Sequence, residues 1–177
     1  MQLFWLKGYE ATSLQELLQA TGLSKSSLYQ TFGSKQALFE RSIEHYRRDL
    51  VGAMQEMLAQ AESGRSFIEQ FFMAVSDESQ GHDARRGCLV MNAASEFAQS
   101  DPAIATLVKQ GTSAFRGVFE AAITRAIEEG DVPPEKDAKV LAAYLLSSMS
   151  GLKTQVKAGT SKRDIEAVTR VILSALD

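Results

Sequence analysis

Apolar residues recur at helical spacing along most of the chain, and the runs are separated by Gly, Ser, Asp and Pro positions that stop and restart helices. Leu3, Phe4 and Leu6 suit a short first helix over 1–7. Leu14, Leu17 and Leu18 share one face of a second helix, opened by a capping box from Ser13 to Glu16 and closed at Gly22. Ser24 caps a third helix that runs to Phe32, and Gly33 with Ser34 repeats the stop and start. Leu38, Phe39, Tyr46, Leu50, Met54, Met57 and Leu58 predict a long helix over 34–61.

Beyond a break at 62–66, Ser66 opens a helix carrying Phe67, Ile68, Phe71, Phe72 and Val75. Residues 77–87 read as a polar loop in which Arg85 and Arg86 are solvated, and a compact helix spans 87–98. Asp101 and Pro102 start a helix that ends at Gly130. Two more helices carry Val140 to Val156 and Ile165 to Leu176 as apolar stripes, the second capped at Ser161. No strand-like alternation of any length occurs, so the expected fold class is all-α: an N-terminal three-helix unit with a helix-turn-helix, then a helical body. The expected domains are 1–47 and 48–177.

Two helices joined by a tight Gly-containing turn form a helix-turn-helix, whose second helix enters the DNA major groove. At about 100° per residue, Leu28 and Phe32 share the buried side of that helix, which puts Ser26 and Gln30 opposite, flanked by Lys25, Ser27 and Tyr29. An amide and small hydroxyls can read base edges. Lys35 sits in the first turn of the next helix, where a cation opposes the helix dipole unless a phosphate binds beside it. Periodicity alone also fits an ordinary three-helix packing unit.

Several motifs agree on one reading. Gly8-Tyr9-Glu10-Ala11-Thr12-Ser13, Leu17, Gly22-Leu23-Ser24-Lys25, Leu28-Tyr29, Phe32 and Ser34-Lys35-Gln36-Ala37-Leu38 resemble the DNA-binding domain of TetR-family (tetracycline-repressor-like) transcriptional regulators. The resemblance implies base contacts from Lys25, Ser26, Ser27 and Gln30, and phosphate contacts from Ser13, Tyr29, Thr31 and Lys35. Thr31 stands where the family more often has His, and Gln36 where it more often has an acid. The family's longer first helix and basic arm have no counterpart in this numbering, so arm contacts to the minor groove are not carried over. The body resembles the family more loosely, through its helix order and the motif Gly87-Cys88-Leu89-Val90 with Asn92-Ala93.

The implied partners are a double-stranded DNA operator, a second copy of the chain and a small-molecule effector. The last two helices would form the dimer interface through Leu141, Leu145, Met149, Leu152, Ile165, Val168 and Ile172, with an intrachain core role open for the same stripes. Candidate effector contacts are Phe71, Met91, Asn92, Phe115, Phe119 and Tyr144. Asn92 and Glu96 lie four apart on one face, which suits either a ligand contact or a local polar pair.

Composition changes the picture little. The net charge is −3, and residues 1–50 hold six Lys and Arg against five acids. DNA binding therefore depends on local placement of charge. No Ser-His-Asp set, phosphate-cradling Gly loop or metal spacing is present, and His45 and His82 belong to no motif. No enzyme activity, metal or cofactor is expected. Residues 1–6 are too short an apolar run for a secretory signal, and 140–152 too short for a membrane span. A single cysteine, Cys88, suits a reducing cytoplasm. The alternatives are a redox- or electrophile-sensing regulator using Cys88, or a helical small-molecule binder without DNA function.

Overall fold

The computed structural model describes residues 1–79, 81, 86–97 and 99–177. The described elements are α1 (Gln2–Lys7), α2 (Leu14–Thr21), α3 (Lys25–Phe32), α4 (Lys35–Gln60), α5 (Gly64–Glu78), α6 (Leu89–Phe97), α7 (Pro102–Glu129), α8 (Ala138–Lys157), α9 (Lys162–Leu173) and a closing 3-10 turn (Ser174–Leu176). No strand is present among the described residues.

The helix ends follow local chemistry. Ser13 and Glu16 form a reciprocal capping box, Ser24 accepts from the Ser27 N–H, and Ser34 accepts from the Ala37 N–H at 3.0 Å. Gly22 closes α2 in the left-handed conformation (φ 68°, ψ 9°). Asp101 Oδ1 accepts from the N–H groups of Ala103 and Ile104 and opens α7. Ser161 caps α9, with its hydroxyl donating to the Asp164 carboxylate at 2.8 Å.

Two compact units result. The first comprises Met1–Arg48 with Cys88–Gly111, and the second Asp49–Gly87 with Thr112–Asp177. The first thus stops one residue beyond the expected boundary but also takes in α6 and the start of α7. Its core joins Phe4, Leu17, Leu28, Phe39, Ile43 and Tyr46 to Leu89, Val90, Ala93, Ile104 and Val108. Gly111 lets α6 close on α7, since a Cβ there would lie 2.9 Å from Val90 Cγ1.

The second unit packs α5 against α8 and α9. Phe67, Phe71, Phe72 and Phe119 form one aromatic cluster, with Phe71 and Phe119 edge to face at 5.3 Å. The Ser76 and Thr169 hydroxyls, both buried, meet at 3.2 Å. The α4–α5 turn is held from α7: Arg125 donates to the carbonyls of Leu58, Ala61 and Glu62, and Glu129 accepts from the Gly64 N–H at 2.8 Å.

Several expectations are corrected. α5 starts at Gly64, because Ser63 rather than Ser66 is its cap. It also reaches Glu78, so residues 77 and 78 are helical, tied by ion pairs of Asp77 with Lys162 and Glu78 with Lys153. Arg86 is half-buried rather than solvated, while Arg85 and His82 lie outside the described residues. Of the seven expected dimer residues, Leu145, Met149, Leu152, Ile165 and Ile172 are buried in the intrachain core, where α8 and α9 turn their main apolar stripes toward α5. Leu141 is half-buried, and Val168 is exposed. Cys88 is 2% exposed, which shields its thiol from an oxidant in solution.

Gly64 offers a sharp test of α5–α7 packing. A Cβ there would fall 2.1 Å from the Ala122 carbonyl oxygen and 2.7 Å from the Ala126 nitrogen, both backbone atoms that cannot rotate away. Gly64→Ala is expected to cost about 3 kcal/mol or more in urea unfolding. Gly117→Ala, at an open position in α7, is expected to gain up to about 1 kcal/mol.

Candidate nucleic-acid interface

α3 is eight residues long and is anchored by Leu28, which is fully buried. Phe32, at its last turn, is half-buried, and the Arg41 guanidinium lies 5.3 Å from its ring centroid. The opposite side is open. Lys25, Ser26, Gln30 and Thr31 are exposed, and Tyr29 retains 39% of its surface. The helix thus presents one cation, an amide, two hydroxyls and a phenol on a rigid rod, with no carboxylate on it. That inventory can donate to phosphates and to the acceptor-rich major-groove edge of purines.

Not every candidate is equally free. Ser27 is half-buried, and its hydroxyl is 2.9 Å from that of Ser24 within the cap. Ser13 uses its hydroxyl twice on Glu16, accepting from the backbone N–H at 3.2 Å and donating to the carboxylate at 2.9 Å. Lys7 and these Ser13 groups hold the Glu16 carboxyl down to about 2. Lys35 Nζ is parked over the Tyr9 ring, 4.2 Å from its centroid. A π face is a suitable rest for a cation that the helix dipole disfavours.

Three residues near this surface make contacts that the sequence reading did not assign to them. Tyr9 sits among Phe4, Phe39 and Phe97 at ring distances of 5.2 to 6.1 Å. Burial, followed by the carboxylates of Glu10, Asp101, Glu40 and Glu96, raises its phenol above the ordinary value, so the ring stays neutral. Glu96 accepts from the backbone N–H groups of Tyr9 and Glu10 at 3.2 and 3.1 Å. Arg41 has no part in the sequence reading. The signal for Tyr9 was its place in a motif, whereas the Glu96 contact spans 87 residues and leaves no local trace.

The effector candidates are divided between the two compact units. Met91 and Asn92 belong to the first compact unit, and Phe71, Phe115, Phe119 and Tyr144 to the second. Phe115 and Phe119 are fully buried, and Phe71 nearly so, as parts of a packed core. Tyr144, on α8, is 37% exposed. Among the described residues, no cluster of three or more His, Cys, Asp or Glu could hold a metal, and no helix is long and apolar enough to cross a membrane.

A short helix docked by one buried leucine, presenting a polar outer face after a tight turn, defines a helix-turn-helix protein. The sequence model described as "Bacterial regulatory proteins, tetR family" matches residues 1–41, and the one described as "Tetracyclin repressor-like, C-terminal domain" matches residues 64–172. The chain belongs to the tetR family of transcriptional regulators. It is 28% identical to the HTH-type transcriptional repressor ComR of Escherichia coli (strain K12) over 163 residues, covering 91% of this chain and 77% of ComR. It is 29% identical over 178 residues to the HTH-type transcriptional regulator YezE of Bacillus subtilis (strain 168), covering 100% of this chain and 92% of YezE. A solved structure of the TetR family regulator CifR, a cysteine mutant complexed with 26-bp double-strand operator DNA, superposes with a TM-score of 0.87 at 27% identity, covering 99% of this chain and 92% of that one.

Gln36 accounts for one departure from the family pattern. Its Nε2 donates to Glu40 Oε1 at 3.0 Å and to Asp101 Oδ2 at 2.9 Å. An acid at 36 could donate to neither and would crowd three carboxylates together. Gln36→Glu is therefore expected to lower stability at pH 7 by about 1–3 kcal/mol. The deficit should shrink as the pH falls below the carboxylate range and the three groups take up protons. An unchanged urea midpoint at both pH values would remove this account.

Proposed function

We propose that the chain is a cytoplasmic transcriptional repressor without enzyme activity, which binds a near-palindromic DNA operator as a homodimer and is released by a small-molecule effector. The observation that carries the DNA-binding part is the division of α3: Leu28 is fully buried, while Lys25, Ser26 and Gln30 on the other side are exposed. Gln30 and Ser26 are the base readers. Lys25, Tyr29 and Thr31 flank them, Ser27 contributes from the first turn, and Ser13 and Lys35 serve the phosphates. Two such heads on successive major grooves would stand about 34 Å apart. The operator complex of CifR supports the choice of duplex DNA, and the repressor name of ComR supports the direction of control.

The dimer contact moves to the outer sides of α8 and α9. Val140 and Val171 are 63% and 68% exposed, and Tyr144 and Val168 share that outward position on the same two helices. Ala143, Ser147 and Gly151 add small exposed residues at four-residue intervals on α8, which allow a second helix to approach closely. Any effector works only through its different affinity for two states of the body.

Two experiments test this reading. Footprinting on the DNA upstream of the protein's own gene should show protection by the wild type. Lys25→Ala, Tyr29→Ala and Gln30→Ala should each weaken it, Gln30→Ala by about 1–3 kcal/mol with relaxed preference at one base pair. Retained affinity in all three would sink the assignment of this face. Independently, Val140→Glu combined with Val171→Glu should yield a monomer in sedimentation, whereas Met73→Glu, at an exposed position on α5, should leave the dimer intact. A dimer that survives the paired change would place the contact elsewhere.

A further inference from the structure

We propose that Glu96 of α6 is a positioning residue for DNA binding, acting through Tyr9 on the Lys35 ammonium. This inference rests on the regulator reading above. Its basis is a short chain of interactions inside the first compact unit. The Glu96 carboxylate takes both backbone N–H groups that follow α1, one oxygen on Tyr9 and the other on Glu10. Gly8 makes room for it: a Cβ there would stand 3.2 Å from Glu96 Oε2, and its φ of +82° favours glycine. Phe97, the next residue on α6, meets the Tyr9 ring edge to face at 5.3 Å. One helix end therefore grips both the backbone and the ring of Tyr9.

That ring is the platform under Lys35 Nζ, at 4.2 Å. Lys35 lies in the first turn of α4, with no acid in that turn to offset the dipole. The orientation of its ammonium therefore depends on the π face, and the π face depends on Glu96 and Phe97. Releasing the carboxylate frees the 8–10 turn, the ring tilts, and Lys35 loses the position from which it reaches a phosphate. Glu96 touches no DNA in this scheme. It decides whether a cation 61 positions earlier in the chain is correctly placed.

The test uses the full chain and duplex DNA recovered from a random-sequence pool by the wild-type protein. The readout is the slope of log K against log salt, which shrinks by about 0.9 for each phosphate that is no longer neutralised. Lys35→Ala and Glu96→Ala should reduce it equally, by about 1.8 when the two protomers of a dimer each leave one phosphate unpaired, with roughly sixtyfold weaker binding at about 0.1 M salt. The double variant should bind no more weakly than either single one. Glu96→Gln, which keeps an acceptor for one N–H, should retain most of the slope. Tyr9→Leu leaves the backbone N–H groups in place but removes the π face, and should behave like Lys35→Ala even if Glu96→Ala fails to fold. A lowered melting temperature in Glu96→Ala with an unchanged slope, or effects that add in the double variant, would overturn the inference. Failure of the wild type to recover any duplex would instead overturn the regulator reading.

Discussion

An eight-residue helix cannot stand alone in water, because nucleation costs more than two turns return. The position of α3 is therefore a property of its seat, and the seat is Leu28. Burying that side chain stabilises the arrangement by about 2 kcal/mol and fixes the rotation of the whole rod. The rotation in turn decides which residues face outward. Ser24 and Gly33 set where the rod begins and ends, so three residues determine the length, the start and the rotation of the reading face. The proposed DNA contacts of Lys25, Ser26 and Gln30 depend on that rotation: a turn of about 100°, one residue's worth, would bury Gln30 or expose Leu28.

The head was legible because its determinants are local. Capping boxes, left-handed glycines and the spacing of Leu14, Leu17 and Leu28 act over short stretches of chain, and the structure has them where the chain spells them. The body was less legible, for a reason of geometry. α8 and α9 each carry apolar residues on more than one side, and periodicity marks a stripe without naming what covers it. Leu145, Met149, Leu152 and Ile172 keep a regular spacing and were natural choices for a dimer seam. The structure uses them against α5 and leaves Val140 and Val171, outside the strict stripe, to solvent. Two competing burials of the same kind cannot be ranked from one chain's sequence.

Gln36 illustrates a different limit. From the sequence it is a deviation with no consequence, because its partner Asp101 is 65 residues away. In the structure the amide is required by that partner, which already caps α7 with its other oxygen. The pair explains why a neutral donor replaces an acid here: Glu40 and Asp101 have filled the local allowance of negative charge. A family pattern describes an average environment, and the environment of residue 36 here includes a carboxylate from a distant part of the chain.

The same long-range partnership bears on what the DNA-binding unit is. Along the chain, it ends near residue 47. In space, it closes only with 88–111, since Leu89, Val90, Ala93, Ile104 and Val108 complete the core begun by Phe4, Phe39 and Ile43. Cut at residue 47, the head would lose Phe97 from the aromatic cluster, the acceptor for two backbone N–H groups, and the partner of Gln36. Unsatisfied amides and an exposed aromatic face both penalise such a fragment. The head and α6 therefore belong to one compact unit, so a change in α6 has a direct mechanical path to Tyr9 and the cation resting on it, without passing through α3.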